Sequence, residues 1–181
     1  MSALEVFPEV YGQWRAALHD GWRVTDPELL EQCLPRIADA HGRLSGEIPP
    51  VDELDERGRA AAEYVDQYVI DQNGVTDAHR EALAAQLAPW TLNDFALVIW
   101  LHDADVRARV LLGIDEGPDE RELTEAPALA EGRLSEFPVT DPAFGARLAS
   151  FMNAVHSRKV IDLETAELGR LRNALHQQCL L

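Results

Sequence analysis

The 181-residue chain has few cysteines, few basic residues and no long apolar run. Two cysteines, Cys33 and Cys179, are too few for a disulfide framework, which favours a reducing, bacterial-type cytoplasm. The longest apolar stretch, residues 95–101, is too short to cross a bilayer, and residues 1–10 lack the features of a signal peptide. A cytoplasmic protein without membrane spans is therefore predicted.

The scarcity of basic residues leaves a strongly acidic chain. Sixteen basic residues face 32 acidic ones, for a net charge of −16. The electrostatic field of this negative charge repels nucleic acid and anionic membranes, so neither is expected as a partner. The apolar share of 46% is that of a globular protein with a real core.

Helical signals dominate, and strand signals are nearly absent. Thr25-Asp26-Pro27-Glu28 is typical of a helix start, and Pro35 should kink or divide the helix that follows. Further helices are predicted over about 54–70, ended by Asn73-Gly74, then after Thr76-Asp77, and over 92–112 behind a capping box formed by Thr91 and Asp94. The wide apolar face of the helix over 92–112, which includes Val110 and Leu111, marks it as the central one. The predicted fold class is all-α.

The chain changes character after residue 114. Residues 115–140 are acidic and rich in proline and glycine, as in a linker. Asp141-Pro142 starts a helix to about His156, and Asp162 caps a last one. The predicted organisation is a first helical unit over 1–114, a linker over 115–140 and a second, incomplete unit over 141–181.

An internal repeat supports this division. The stretch VTDPELLEQCLPRIA from Val24 aligns with VIDLETAELGRLRNA from Val160, and Glu31 then matches Glu167. Two capped acidic helices can also resemble each other by chance. If the repeat is real, the second copy is cut off soon after this helix.

The residues from Glu167 to Cys179 resemble the helix and turn that lead into the active site of the carboxymuconolactone decarboxylase family, notably its alkylhydroperoxidase AhpD branch. The segment YVDQYVIDQNGVTDAHREAL, from Tyr64, is similar to a helical hairpin in the same family. The resemblance implies an AhpD-like helical fold, a thiol peroxidase or disulfide reductase lineage without a cofactor, and a homo-oligomer served by a protein thiol reductant.

The resemblance also implies the site residues. Cys179 would be the first thiol of a Cys-x-x-Cys pair, with Glu167 as its catalytic partner. The resemblance carries over these two residues only, and His176, three residues before Cys179, is a separate candidate for proton transfer. The second cysteine would fall beyond Leu181, and the position matching Cys179 in the first copy is Arg43. The redox site is thus incomplete in this chain, and the alternative is a catalytically silent helical protein for oligomerisation or partner binding.

Other chemistry-bearing residues favour packing. Cys33 lies on an apolar helical face and is predicted to be a core residue. His102, Asp103 and Asp105 could suggest a metal site, but no second cluster completes it, so no metal is expected. The four tryptophans are predicted to pack rather than stack on a ligand; they are Trp14, Trp22, Trp90 and Trp100.

Overall fold

The computed structural model describes residues 8–43, 46–88, 91–113, 123, 125–132 and 139–157. Within these ranges the protein has six α-helices, two short 3₁₀ turns and no strand, which confirms the all-α prediction. The helices are α1 (Pro8–Val24), α2 (Pro27–Ala40), α3 (Glu56–Ile70), α4 (Asp77–Gln86), α5 (Thr91–Leu112) and α6 (Pro142–Ser157), and the 3₁₀ turns are Val51–Glu53 and Gln72–Gly74.

Helix α2 begins within the predicted start motif, and its N-cap is Asp26. The Asp26 carboxylate accepts hydrogen bonds from the backbone N–H groups of Glu28 and Leu29, whereas the Thr25 hydroxyl donates back to Gly21 O. Of the two predicted effects of Pro35, a kink or a division of the helix, the division is wrong, because α2 runs unbroken past Pro35 to Ala40.

A short turn joins helices α3 and α4, and the sequence predicted the start of α4 correctly but not the way in which α3 ends. Helix α3 ends at Ile70, and its C-cap is Asp71, whose N–H still bonds Gln67 O. Asn73 and Gly74 belong to the 3₁₀ turn that follows, and Gly74 does not have the positive φ of a left-handed cap. Thr76 caps α4 as predicted, and the reciprocal partner in its capping box is His79.

Helix α5 differs from its prediction at both ends. Thr91 does not form a capping box with Asp94; the buried Asp94 carboxylate accepts from the distant N–H of Thr140 at 3.0 Å. At the other end, Val110 and Leu111 are 42% and 85% exposed. The core face of α5 therefore ends near Val106, which still packs against the core, and does not reach Val110 and Leu111.

Helix α1 lies between α5 and α6 and runs antiparallel to both. Trp14 contacts Asp105 and Phe151, while Gly21 approaches Val98 and Phe144. Phe144 and Leu148 of α6 thereby join the same apolar core as α1 to α5. The division into two units and the repeat remain predictions, because residues 158–181 lie outside the described part.

The aromatic residues pack as expected where they are described. Trp14 makes edge contacts with Trp100 and Phe151, with ring centroids 6.3 and 4.6 Å apart. Trp22 packs against His102, and Trp90 lies outside the described residues.

No single helix in the described ranges is long and apolar enough to cross a membrane. Helices α4 and α5 meet the requirement of length and composition only as a pair, across a bend of 113°.

Candidate functional site

Buried polar residues are concentrated on the second half of α5. His102, Asp103 and Asp105 are each 6% exposed or less, within one turn of a helix that is otherwise apolar at this level. Burying such groups is costly unless they are paired. The pairing of these three side chains defines the candidate site.

Asp103 is the centre of a network that joins three helices. Its Oδ1 lies 2.7 Å from His41 Nε2, at the C-terminal end of α2, and its Oδ2 accepts from Arg107 Nε at 2.8 Å. Arg107 also donates through Nη2 to Val69 O in the last turn of α3. Arg107, and His41 when it is protonated, therefore each place a positive charge at the C-terminal end of a helix, where the last carbonyl groups carry negative partial charge. Burial, and secondarily the charge of Asp103, raises the pKa of the neighbouring Tyr68.

Asp105 makes a second, separate connection. Its Oδ1 accepts from Trp14 Nε1 of α1 at 3.2 Å, and its Oδ2 lies 2.5 Å from Arg109 Nη2 on its own helix. Burial raises the pKa of Asp105, and the opposing effects of Arg109 and Trp14 are smaller. The carboxylate therefore joins α5 to α1.

His102 faces a third direction. It is 4% exposed, packs edge-on against Trp22 with ring centroids 6.0 Å apart, and its Nε2 has no hydrogen-bond partner among the described residues. Burial, with a smaller effect of Arg109, lowers its pKa to about 4. The imidazole is therefore neutral at physiological pH.

The three side chains do not converge on one point. Asp103 reaches α2, Asp105 reaches α1, and His102 packs on Trp22. In the described ranges, no group of three or more histidine, cysteine, aspartate or glutamate side chains is arranged to hold a metal ion. What this arrangement does is fasten α5 to its neighbours.

The prediction that Cys33 is a core residue is confirmed. Its side chain is fully buried in α2 within the main apolar cluster. Burial raises the pKa of the thiol to about 12. At neutral pH this lowers the reactive thiolate fraction by roughly three orders of magnitude relative to an ordinary cysteine.

The predicted site residues Glu167, His176 and Cys179 lie outside the described residues. The predicted repeat pairs Glu167 and Cys179 with two positions that the structure does describe. Glu31, the match of Glu167, is exposed on α2, and Arg43, the match of Cys179, donates through Nη2 to Arg109 O at 3.4 Å. The position that the predicted repeat pairs with the thiol thus contacts the backbone of Arg109, the ion-pair partner of Asp105.

A second polar cluster was not anticipated from the sequence. Gln13 of α1 donates through Nε2 to Ala128 O at 2.6 Å, and its Oε1 accepts from Ser150 Oγ at 2.7 Å and from Arg147 Nη1 at 3.2 Å. Ser150 Oγ in turn accepts from the N–H of Ala130. These bonds hold residues 127–130 against α1 and α6, although the sequence predicts a linker there.

In the sequence, the only feature that could have predicted either polar cluster is the presence of polar residues within apolar helices.

A cleft of about 240 Å³ opens at the starts of α2 and α5, beside the Asp26–Arg57 ion pair. Its rim carries groups that already bond within the protein, among them Thr25, Asp26 and Thr91. We assign it no ligand.

Comparison with known proteins gives no relative: no family model, curated protein or solved structure matches this chain.

Proposed function

We propose that the chain is an AhpD-like protein of thiol peroxidase or disulfide reductase lineage, whose first helical unit is redox-silent. The observation that best supports a redox-silent first unit is the burial of its cysteine, Cys33, in the core, where the pKa of the thiol is raised. The position matching Cys179 there is Arg43, whose guanidinium bonds a helix carbonyl. Thiol chemistry would then depend on Cys179, with Glu167 and His176 as its proton-transfer candidates.

The proposed chemistry balances with a peroxide and a protein thiol. The Cys179 thiolate attacks the terminal peroxide oxygen, the O–O bond breaks, and the departing alkoxide takes a proton and leaves as an alcohol. The sulfur is oxidised to a sulfenic acid. A thiol of the partner reductant then displaces water to form a disulfide, which a further thiol of that reductant reduces.

The alternative is a catalytically silent helical protein that forms oligomers or holds a partner. The observation that favours this alternative is that the buried carboxylates of α5 are taken up by contacts within the protein. Asp103 and Asp105 are each engaged with a neighbouring helix and an arginine. Such groups stabilise a scaffold rather than meet a substrate.

The two candidates are distinguished by peroxide consumption in the presence of a dithiol reductant. Wild type should consume peroxide, Cys179→Ser should lose that activity, and Cys33→Ser, the matched control, should keep it if it remains folded by circular dichroism. If wild type and Cys179→Ser are equally inactive, the catalytically silent alternative is supported and the peroxidase proposal fails.

A further inference from the structure

A short extended segment of the chain is bound across α1 and α6. Residues 127–130, which we call the strap, lie outside any helix. Four polar side chains hold the strap, and we call them the polar row: Gln13 of α1 and Arg147, Ser150 and Asn153 of α6. The three members on α6 are spaced three residues apart, so they lie along one face of that helix.

The polar row contacts the main chain of the strap. In chain order, the bonds run from Arg147 Nη1 to Pro127 O at 2.9 Å, from Gln13 Nε2 to Ala128 O at 2.6 Å, from the Ala130 N–H to Ser150 Oγ at 2.6 Å and from Asn153 Nδ2 to Ala130 O at 3.3 Å. Because carbonyl and N–H groups are common to all peptides, these bonds do not depend on the side chains of the strap. Proteins that bind extended peptides obtain affinity from main-chain bonds of this kind.

The side chains of the strap contribute little to its attachment. Ala128 is exposed and Leu129 is 53% exposed, so the strap buries little apolar surface of its own. By contrast, Gln13 and Ser150 of the polar row are 2% and 1% exposed. Buried polar groups are costly without partners, whereas a surface segment with few apolar contacts opens locally at low cost. The polar row therefore requires a bound main chain, and the strap is an occupant that can be replaced.

The strap also leaves space beside it. A cleft of about 440 Å³ lies between residues 129–132 and the part of α6 that carries Ala146 and Ala149. This space could hold a side chain larger than the alanines of the strap. At Gly132 the chain instead runs so close to α6 that a β-carbon would collide with Asn153. The site is thus tight at its end and open along its side.

We propose that the polar row is a binding site for an extended peptide of a partner protein, and that the strap is its tethered competitor. The occupant is inferred from the segment seated there, so the fitting peptide is extended and built mostly of small residues, like the strap. A free peptide has to displace the strap, which lowers its apparent affinity by the fraction of molecules in which the strap is bound. The site uses no thiol chemistry, so it does not rest on the proposed function.

Displacement of the strap from the full-length wild-type chain tests the proposal without any substitution. The probe is a synthetic peptide with the sequence of residues 125–132, EAPALAEG, added in excess to isotope-labelled protein. Hydrogen exchange of the protein's Ala130 amide should become several-fold faster as the peptide takes its place, while the amides of α3 keep their rates. The control peptide has proline in place of Ala130, lacks the N–H that Ser150 accepts, and should have no effect.

Variants of the full chain that weaken the strap give the second readout. Ala130→Pro removes the same N–H from the strap, and Gly132→Ala brings a β-carbon against Asn153, so either should free the site. Fluorescence anisotropy should show the labelled peptide binding at least about tenfold more tightly to these variants than to wild type. Leu129→Asp changes an exposed side chain of the strap and is the matched control, which should bind as weakly as wild type.

Gln13→Leu, combined with either strap variant, should abolish the binding because it removes the bond to Ala128 O. Peptide binding that is equally weak in wild type and in folded strap variants, or that survives Gln13→Leu, would overturn the proposal. So would unchanged exchange of the wild-type Ala130 amide at saturating peptide.

Discussion

His102 shows at the scale of one residue how burial sets a protonation state. The imidazole is held neutral because a charge in this position would be separated from water and would stand near Arg109. Its pKa of about 4 in the folded protein lies below the unfolded value of 6.5. Between these two pH values the unfolded chain binds more protons, so acid favours unfolding there.

His102→Leu should therefore flatten the loss of stability on acidification. For wild type, this residue alone should cost roughly 2–4 kcal/mol of unfolding free energy as pH falls from the unfolded towards the folded pKa. The raised pKa of Asp105 acts in the opposite direction, since protonation relieves its burial, and it is present in both proteins. Urea unfolding across this pH range measures the difference. His156→Leu, at an exposed position of α6, is the control, and an equal acid loss in wild type and His102→Leu would contradict the account.

Asp103 is the residue on which three helices depend most directly. Asp103→Asn keeps the shape but removes the charge that His41 and Arg107 face. We expect a loss of about 2–4 kcal/mol in urea unfolding, because the side chain is only 5% exposed. Asp77→Asn is a matched control: its pair with Arg80 is solvated, so less than about 1 kcal/mol should be lost. Equal small losses would show that the network carries no stability.

Gln13 acts at the scale of whole elements, because its one amide group joins α1, α6 and residues 127–130. Gln13→Leu should release the 127–130 segment, since the bond to Ala128 O is lost and Ser150 loses its acceptor. Hydrogen exchange of the Ala130 amide should become faster, while the amides of α3 should keep their rates. Gln67→Leu removes only a local bond to Asp71 O and should leave Ala130 unaffected. Unchanged exchange at Ala130 would mean that Gln13 does not hold the segment.

The helix starts were predictable because the interactions that make them are local. Asp26 and Thr76 bond backbone N–H groups two or three residues away, and those patterns are visible in the sequence. Asp94 stands three residues after Thr91, as in a capping box, but its carboxylate bonds the N–H of Thr140, 46 residues along the chain. The local sequence around Asp94 does not indicate that bond. The bond between Gln13 and Ser150, 137 residues apart, was invisible for the same reason.

Burial was also harder to read than helicity. The repeat of apolar residues along α5 continues to Leu111, yet Leu111 is 85% exposed, so the pattern overstated the core. His102 and Asp103 are adjacent in the sequence, whereas packing directs them towards different neighbours, Trp22 and His41. The spacing of apolar residues identifies the apolar face of a helix but does not identify the residues that cover that face.

At the scale of the whole molecule, the described helices form one apolar core fastened by buried carboxylates, and they enclose their own thiol. The sequence of residues 167–179 carries the resemblance to a redox family. The proposed function therefore requires the two thiols to differ, with Cys33 buried in the core and Cys179 available to react.

The most direct test is the alkylation of the two cysteines in the native full-length chain, followed by peptide mass spectrometry over a range of pH. Cys33 should stay unlabelled until denaturant unfolds the protein, because its side chain is buried and its thiol pKa is about 12. Cys179 should be labelled in the folded state at near-neutral pH. Native labelling of Cys33 at the rate of Cys179 would contradict the account.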